Sequence, residues 1–284
     1  MIPPNYSDIC KPVNDLFSKD YPFGAVKLEV KTTTSNGISF TVNGAQDLKS
    51  GAIISELKTK YADKINGLTY TESWNTANLV TGQVEVANKF AKGLNIELFG
   101  STALNSTKRA LRSKINYKQD NIFARVNVDA LNPAVTADVT VNREGALVGA
   151  ELAYDLNSGA VTKTNSTIGY AGPDYLVTLQ GNNSLNVFQL AFYQRVTQNV
   201  EAGARAVYDY KNPEGGVSAE LASKYILDKD AYVKAKIDNA GRLGLSFTHL
   251  LRPGVKLSLA GLFDTARLQE NTHKLGAALT FESN

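Results

Sequence analysis

Apolar and polar side chains alternate over most of this chain, and the polar partners carry more charge than the wet face of an ordinary sandwich. Ala231-Tyr232-Val233-Lys234-Ala235-Lys236-Ile237-Asp238 is one such run; Lys274-Leu275-Gly276-Ala277-Ala278-Leu279-Thr280-Phe281-Glu282 is another. Successive strand side chains point to opposite faces, so each run has one greasy and one charged face. Val26, Leu28 and Val30 oppose Lys27, Glu29 and Lys31; Ile38, Phe40 and Val42 oppose Ser39, Thr41 and Asn43. Leu111 and Ile115 oppose Arg112, Lys114, Asn116 and Lys118, and Phe188, Leu190 and Phe192 oppose Gln189, Tyr193 and Arg195.

Turn residues punctuate the pattern after Gly24: Asn36-Gly37, Asn66-Gly67, Glu144-Gly145, Ser158-Gly159, Gly172-Pro173-Asp174, Glu214-Gly215-Gly216, Ala240-Gly241 and Pro253-Gly254. Reading between them gives about 18 or 19 strands at membrane-strand spacing. Before Gly24 the period is helical. Tyr6, Ile9, Cys10, Val13, Leu16 and Phe17 form one apolar stripe, with Ser7, Asp8, Lys11, Asp15 and Lys19 opposite. Pro12 inside that stripe predicts two short pieces rather than one rod.

Composition alone reads as soluble, with 20% charged residues and a net charge of +3. No run approaches the roughly 18 to 20 apolar residues of a membrane helix; a chain of this kind crosses a bilayer only as a closed barrel. A soluble sandwich or lipid-carrying barrel would invert the pattern, apolar side in. Strand number decides against it, because so wide a barrel with an apolar lumen would enclose an empty oily cavity. The start of the chain lacks a basic n-region and an apolar h-region, so no secretory signal is expected. The single Cys10 fits a reducing compartment.

The chain resembles the mitochondrial voltage-dependent anion channels, the eukaryotic porin family, over essentially its whole length. The most specific stretch is Tyr225-Ile226-Leu227-Asp228-Lys229-Asp230-Ala231 continuing through Lys234 to Asn239, followed by Leu251-Arg252-Pro253-Gly254-Val255-Lys256-Leu257 and His273-Lys274-Leu275-Gly276. Gly67-Leu68-Thr69-Tyr70-Thr71-Glu72-Ser73-Trp74-Asn75-Thr76 and Tyr6-Ser7-Asp8 match as well. The resemblance implies an all-β transmembrane β-barrel of 19 strands, with residues 1–24 as an N-terminal α-helix and linker inside the pore and 25–284 as the barrel. An odd strand number would pair the first and last strands in parallel. The resemblance also implies a place in the mitochondrial outer membrane. The final strand resembles the family's insertion signal at Lys274, Gly276, Leu279 and Phe281.

No catalytic constellation is present: His249 and His273 lack metal-spaced partners, and no phosphate-cradling glycine loop occurs. An enzyme is not expected, nor a cofactor or a nucleic-acid partner. The expected function is passive conduction, voltage-gated and weakly anion-selective, since cationic rings in a water-filled pore favour anions. Lys27, Lys31, Lys58, Lys60, Arg112, Lys114, Lys118, Lys234, Lys236, Lys256 and Lys274 share the polar face. Of these, Lys27, Lys31, Lys60, Lys234 and Lys236 are expected to line the lumen and sense voltage. The resemblance further implies a constriction where Lys11, Lys19, Arg112 and Lys114 meet the phosphates of weakly bound ATP and ADP. Glu72 shares the phase of Leu68, Tyr70 and Trp74 and so faces lipid, where a charge is functional by default; a local bulge would instead turn it inward. In the family that position is associated with gating, oligomer contacts and hexokinase docking. A protein-import barrel of the same membrane is the related alternative. Pro12, Pro22 and Asn95 depart from the family pattern and bear on helix mobility and nucleotide contact.

Overall fold

The computed structural model describes residues 3–63, 65–107, 109–270 and 272–283. After the N-terminal segment the chain runs through β1 (Ala25–Thr33), β2 (Ile38–Asp47), β3 (Ile53–Asp63), β4 (Leu68–Asn75), β5 (Leu79–Ala87) and β6 (Leu94–Ala103). Next come β7 (Arg109–Gln119), β8 (Ile122–Asp129), β9 (Ala134–Arg143), β10 (Ala146–Asp155), β11 (Ala160–Ala171), β12 (Tyr175–Asn182) and β13 (Val187–Arg195). The last are β14 (Val200–Asp209), β15 (Val217–Ile226), β16 (Ala231–Asp238), β17 (Arg242–Arg252), β18 (Val255–Asp264) and β19 (Lys274–Ser283). Each strand pairs antiparallel with the next, and β1 pairs in parallel with β19, closing one 19-stranded sheet. The odd count and the parallel seam agree with what the family resemblance implies, where the count of turns alone left 18 or 19 open.

Register carries one phase around the whole wall. Leu28 stands beside Leu279 across the seam, Val42 beside Leu57, Leu57 beside Trp74, Ile115 beside Val126, and Leu245 beside Gly261. These outward rows are exposed although apolar: Trp74 is 52% accessible, Leu190 52% and Leu221 60%. Exposure of that kind on one continuous face marks a surface covered by lipid rather than water. Among the described residues no helix is long and apolar enough to cross a membrane, so the strands are the spanning elements.

The N-terminal segment lies inside. A 3-10 turn at Tyr6–Asp8 is capped by Asn5, whose Oδ1 accepts from the Asp8 amide at 2.8 Å. Helix α1 (Lys11–Ser18) follows, with Pro12 in its first turn, where a missing amide costs nothing. The two pieces expected from Pro12 therefore exist, and the break falls at Ile9–Cys10. All six stripe residues are buried, against Leu147, Leu176, Ala191 and Ala222 on the inner wall.

Glycines mark where the segment touches the wall. A Cβ on Gly149 would lie 2.9 Å from Ile9 Cδ1, one on Gly203 2.8 Å from Leu16 Cδ2, and one on Gly244 2.9 Å from Phe23 Cζ. At Gly276 the Pro22 carbonyl oxygen occupies the space a Cβ would need. Strand glycines of this kind permit close backbone approach.

The parallel seam is testable by oxidation in a Cys10→Ser background. Leu28→Cys with Leu279→Cys should cross-link, whereas Leu28→Cys with Leu257→Cys, one strand further on, should not, because a disulfide needs Cα atoms within about 7 Å.

Candidate functional site

The lumen is built from the inward phase of the strands together with α1. Inward side chains are mostly charged or amide-bearing, and they form ion pairs over much of the wall. Arg112 Nε lies 2.9 Å from Asp129 Oδ2, Lys114 Nζ 3.1 Å from Glu97 Oε2, and Lys224 Nζ 3.3 Å from Glu201 Oε1. Arg125 pairs with Asp138, whose carboxylate is 1% accessible; Arg205 pairs with Glu220, and Lys163 with Glu151.

The opposite arc is different. Lys27 on β1 and Lys58 and Lys60 on β3 are inward and exposed, and among the described residues none has a carboxylate within ion-pair distance. Lys31 pairs with Glu29 at 3.3 Å. The helix leans on β13, β14 and β15, and the 3-10 turn on β9 and β10. Its polar face, with Lys11 and Lys19 exposed, therefore looks across the lumen toward the arc it leaves bare. Lys19, Lys27 and Lys256 line one recess of about 540 Å³ with Glu29 and Glu56. Arg112, Lys114 and Arg125 line another of about 560 Å³. Of the constriction residues expected as one group, Lys19 lines the first recess and Arg112 and Lys114 the second, while Lys11 lines neither.

Lys234 and Lys236 face inward as expected, but they are not free pore cations. Lys234 Nζ donates to the carbonyls of Asp15 and Lys19, both at 2.9 Å, and Lys236 Nζ donates to the Phe17 carbonyl at 2.8 Å. The last carbonyls of a helix have no intrahelical donor and carry its negative dipole end; the two lysines supply donors at Phe17 and Lys19 and countercharge to the whole end, while the Asp15 carbonyl also accepts from the Lys19 amide at 3.2 Å. Lys234 is only 5% accessible.

The extended backbone of Lys19 ends the helix, and Asp20, in the left-handed region at φ 64°, turns its carboxylate to the wall. Tyr232 Oη donates to Asp20 Oδ2 at 2.8 Å, Lys256 Nζ lies 3.3 Å from Oδ1, and Lys234 Nζ 3.6 Å from Oδ2. Ser246 Oγ donates to the Asp20 carbonyl. Burial alone would raise the Asp20 carboxyl, but the Tyr232 hydrogen bond and the Lys256 and Lys234 charges outweigh it and hold the group below the ordinary carboxylate value. Docking carried by this carboxylate is therefore complete above the ordinary value and is lost as pH falls through the lowered one. Sequence reasoning missed this cluster; its one signal was Tyr232, an aromatic ring in the polar phase of β16.

Glu72 points outward. It stands beside Thr59 on β3 and Gly82 on β5, in regular register with no bulge, on the face of Tyr70 and Trp74. Lys274 packs near Gly24, Gly276 receives the Pro22 carbonyl, and Leu279 and Phe281 face outward beside Leu28 and Val30. Among the described residues no cluster of His, Cys, Asp and Glu could hold a metal ion.

A closed wall with an apolar exterior, an ionised interior and a helix docked within defines a membrane β-barrel pore. A profile of the eukaryotic porin family matches residues 2–276. The chain is 40% identical to the mitochondrial outer membrane protein porin of Candida albicans, covering 99% of each chain, and 38% identical to that of Neurospora crassa over the full length of both. It is 34% identical to the non-selective voltage-gated ion channel VDAC2 of Xenopus laevis, over 99% of this chain and all of that one. A triple mutant of the Rhodopseudomonas blastica porin superposes with a TM-score of 0.51 at 10% identity, covering 91% of this chain and 96% of that one, a likeness of fold alone. The chain belongs to the eukaryotic porin family, and its place is the mitochondrial outer membrane.

Two outcomes are expected from the wall. Arg125→Met should destabilise the refolded barrel to urea by about 3–5 kcal/mol, because it strands the buried Asp138 charge, and Arg125→Met with Asp138→Leu should recover most of the loss. A hydrophobic carbodiimide should label the wild type at Glu72 and not Glu72→Gln, with the reversal potential unchanged; a shifted potential would place that side chain in the lumen.

Proposed function

We propose that the chain forms a voltage-gated, weakly anion-selective pore that passes ATP, ADP, phosphate and small metabolite anions by passive diffusion. The observation that carries the selectivity is the arc of unpaired cations, Lys27, Lys58 and Lys60, facing the exposed Lys11 and Lys19 of the helix. A cation whose charge is spent on a neighbouring carboxylate contributes little field to the water beside it, whereas an unpaired one raises the local anion concentration. Pairing over much of the rest of the wall keeps the preference modest, and salt screens what remains. Voltage gating is supported by kinship with a relative whose name states it.

Nucleotide phosphates would meet Lys19 and Lys27 in the recess beside the helix end, or Arg112 and Lys114 in the other. Lysine serves phosphate there as a point charge, weakly enough for the permeant to leave. On the outer face, membrane lipids surround the barrel, and Glu72 is the place proposed for contact with a second barrel or a cytosolic partner such as hexokinase.

The test is the reversal potential in planar bilayers under a salt gradient. Lys58→Gln should move it toward cation preference, while Lys163→Gln, an equal change of charge at a cation already paired with Glu151, should move it far less. Equal shifts from both would contradict the assignment of selectivity to the bare arc.

A further inference from the structure

The helix is held in two different ways along its length. Its apolar stripe, from Ile9 through Val13 to Leu16 and Phe17, is held by packing against Leu147, Leu176, Ala191 and Ala222, with Gly149 and Gly203 as seats. From Asp15 to Asp20 the backbone carbonyls and the Asp20 carboxylate add polar contacts that converge on three strands. Lys234 and Lys236 of β16 bond the carbonyls of Asp15, Phe17 and Lys19, and Tyr232 of β16, Ser246 of β17 and Lys256 of β18 bond Asp20.

The two groups are not independent. Lys234 on β16 and Lys256 on β18 are separated by β17, and the Asp20 carboxylate is the acid within ion-pair distance of both. Without it, Lys234, at 5% accessibility, would be a buried cation answered only by the Asp15 and Lys19 carbonyls and the Tyr21 ring. The arrangement is a catch with one anionic pin. From this the geometry points to Asp20 as the latch that fixes the N-terminal helix to the wall, its carboxylate gripped by Tyr232, Lys256 and Lys234, so that loss of that one charge frees the helix end. The inference rests on contacts within the chain and not on the ion preference proposed above.

Cys10 provides the readout. It is the chain's single cysteine, it is buried, and its Sγ lies 3.0 Å from Thr178 Oγ1 on the wall. Burial also pushes its thiol above the ordinary cysteine value, which keeps it unreactive while docked. A helix that lifts from the wall exposes it.

The experiment is the rate of maleimide labelling of Cys10 in the full chain reconstituted into liposomes. Asp20→Asn should raise the rate about tenfold, the scale of one lost charge-assisted hydrogen bond. Tyr232→Phe should raise it by a smaller factor, and Lys256→Met added to Asp20→Asn should raise it little further, since both remove the same contact. Asp155→Asn, at a carboxylate that ends β10 and accepts from the amides of its own turn, should leave it unchanged. A wild-type labelling rate in Asp20→Asn would overturn the latch. Should that variant fail to insert, Tyr232→Phe decides, and a wild-type rate there overturns it equally. Because labelling reads helix position alone, a failure of the selectivity assignment would leave this result untouched.

Discussion

A sheet immersed in hydrocarbon cannot have an edge, because every unpaired amide or carbonyl there costs several kcal/mol. The 19 strands meet this by joining β1 to β19 in parallel, the only direction left once an odd number of strands has run up and down. The seam also has to preserve the side-chain phase, since a slip of one residue would turn a whole strand inside out. It does so through Val26, Leu28 and Val30 beside Ala277, Leu279 and Phe281, apolar on both sides. The insertion-signal positions Leu279 and Phe281 are thus also the outer wall of the closing strand. Gly276 is needed for a second reason, because Pro22 passes over it as the linker enters the lumen.

Because the phase is continuous, most of the wall was legible in the sequence: alternation assigns inside and outside strand by strand, and turn glycines set the boundaries. The path of the helix was legible in part. Leu147, Leu176, Ala191 and Ala222 fall in the inward phase yet are apolar, an inversion that has no purpose in a water-filled lumen unless something greasy lies over them. The latch was not legible. Lys234 and Lys236 have the alternation of free pore cations, and nothing local distinguishes a lysine facing water from one facing the carbonyls of a helix more than 200 residues away in sequence. Contacts at such separation come from the closed topology and not from any period within a strand.

Docking the helix on one side also divides the charge of the lumen. Beneath and beside it most of the cations are paired, as buried or half-buried charges must be; across from it Lys27, Lys58 and Lys60 are exposed and, among the described residues, unpaired. A helix that covered the β1–β3 arc instead would bury those three lysines without partners. The distribution of acids around the barrel and the position of the helix therefore specify each other.

That division bears on which charges a transmembrane field can move. One elementary charge crossing the full potential gains about 2.3 kcal/mol per 100 mV, whereas each hydrogen bond to a charged group contributes about 1.5–3 kcal/mol. The helix end is held by Lys234, Lys236, Lys256, Tyr232 and Ser246 together, so a field acting on Lys19 alone cannot pull it free at modest voltage. Lys27, Lys58 and Lys60 have no such bonds to break. A response at low voltage therefore falls to the bare arc or to the arc and helix polar face acting in concert, and detachment of the helix requires either several charges moving together or the prior loss of the Asp20 charge that gathers the clamp.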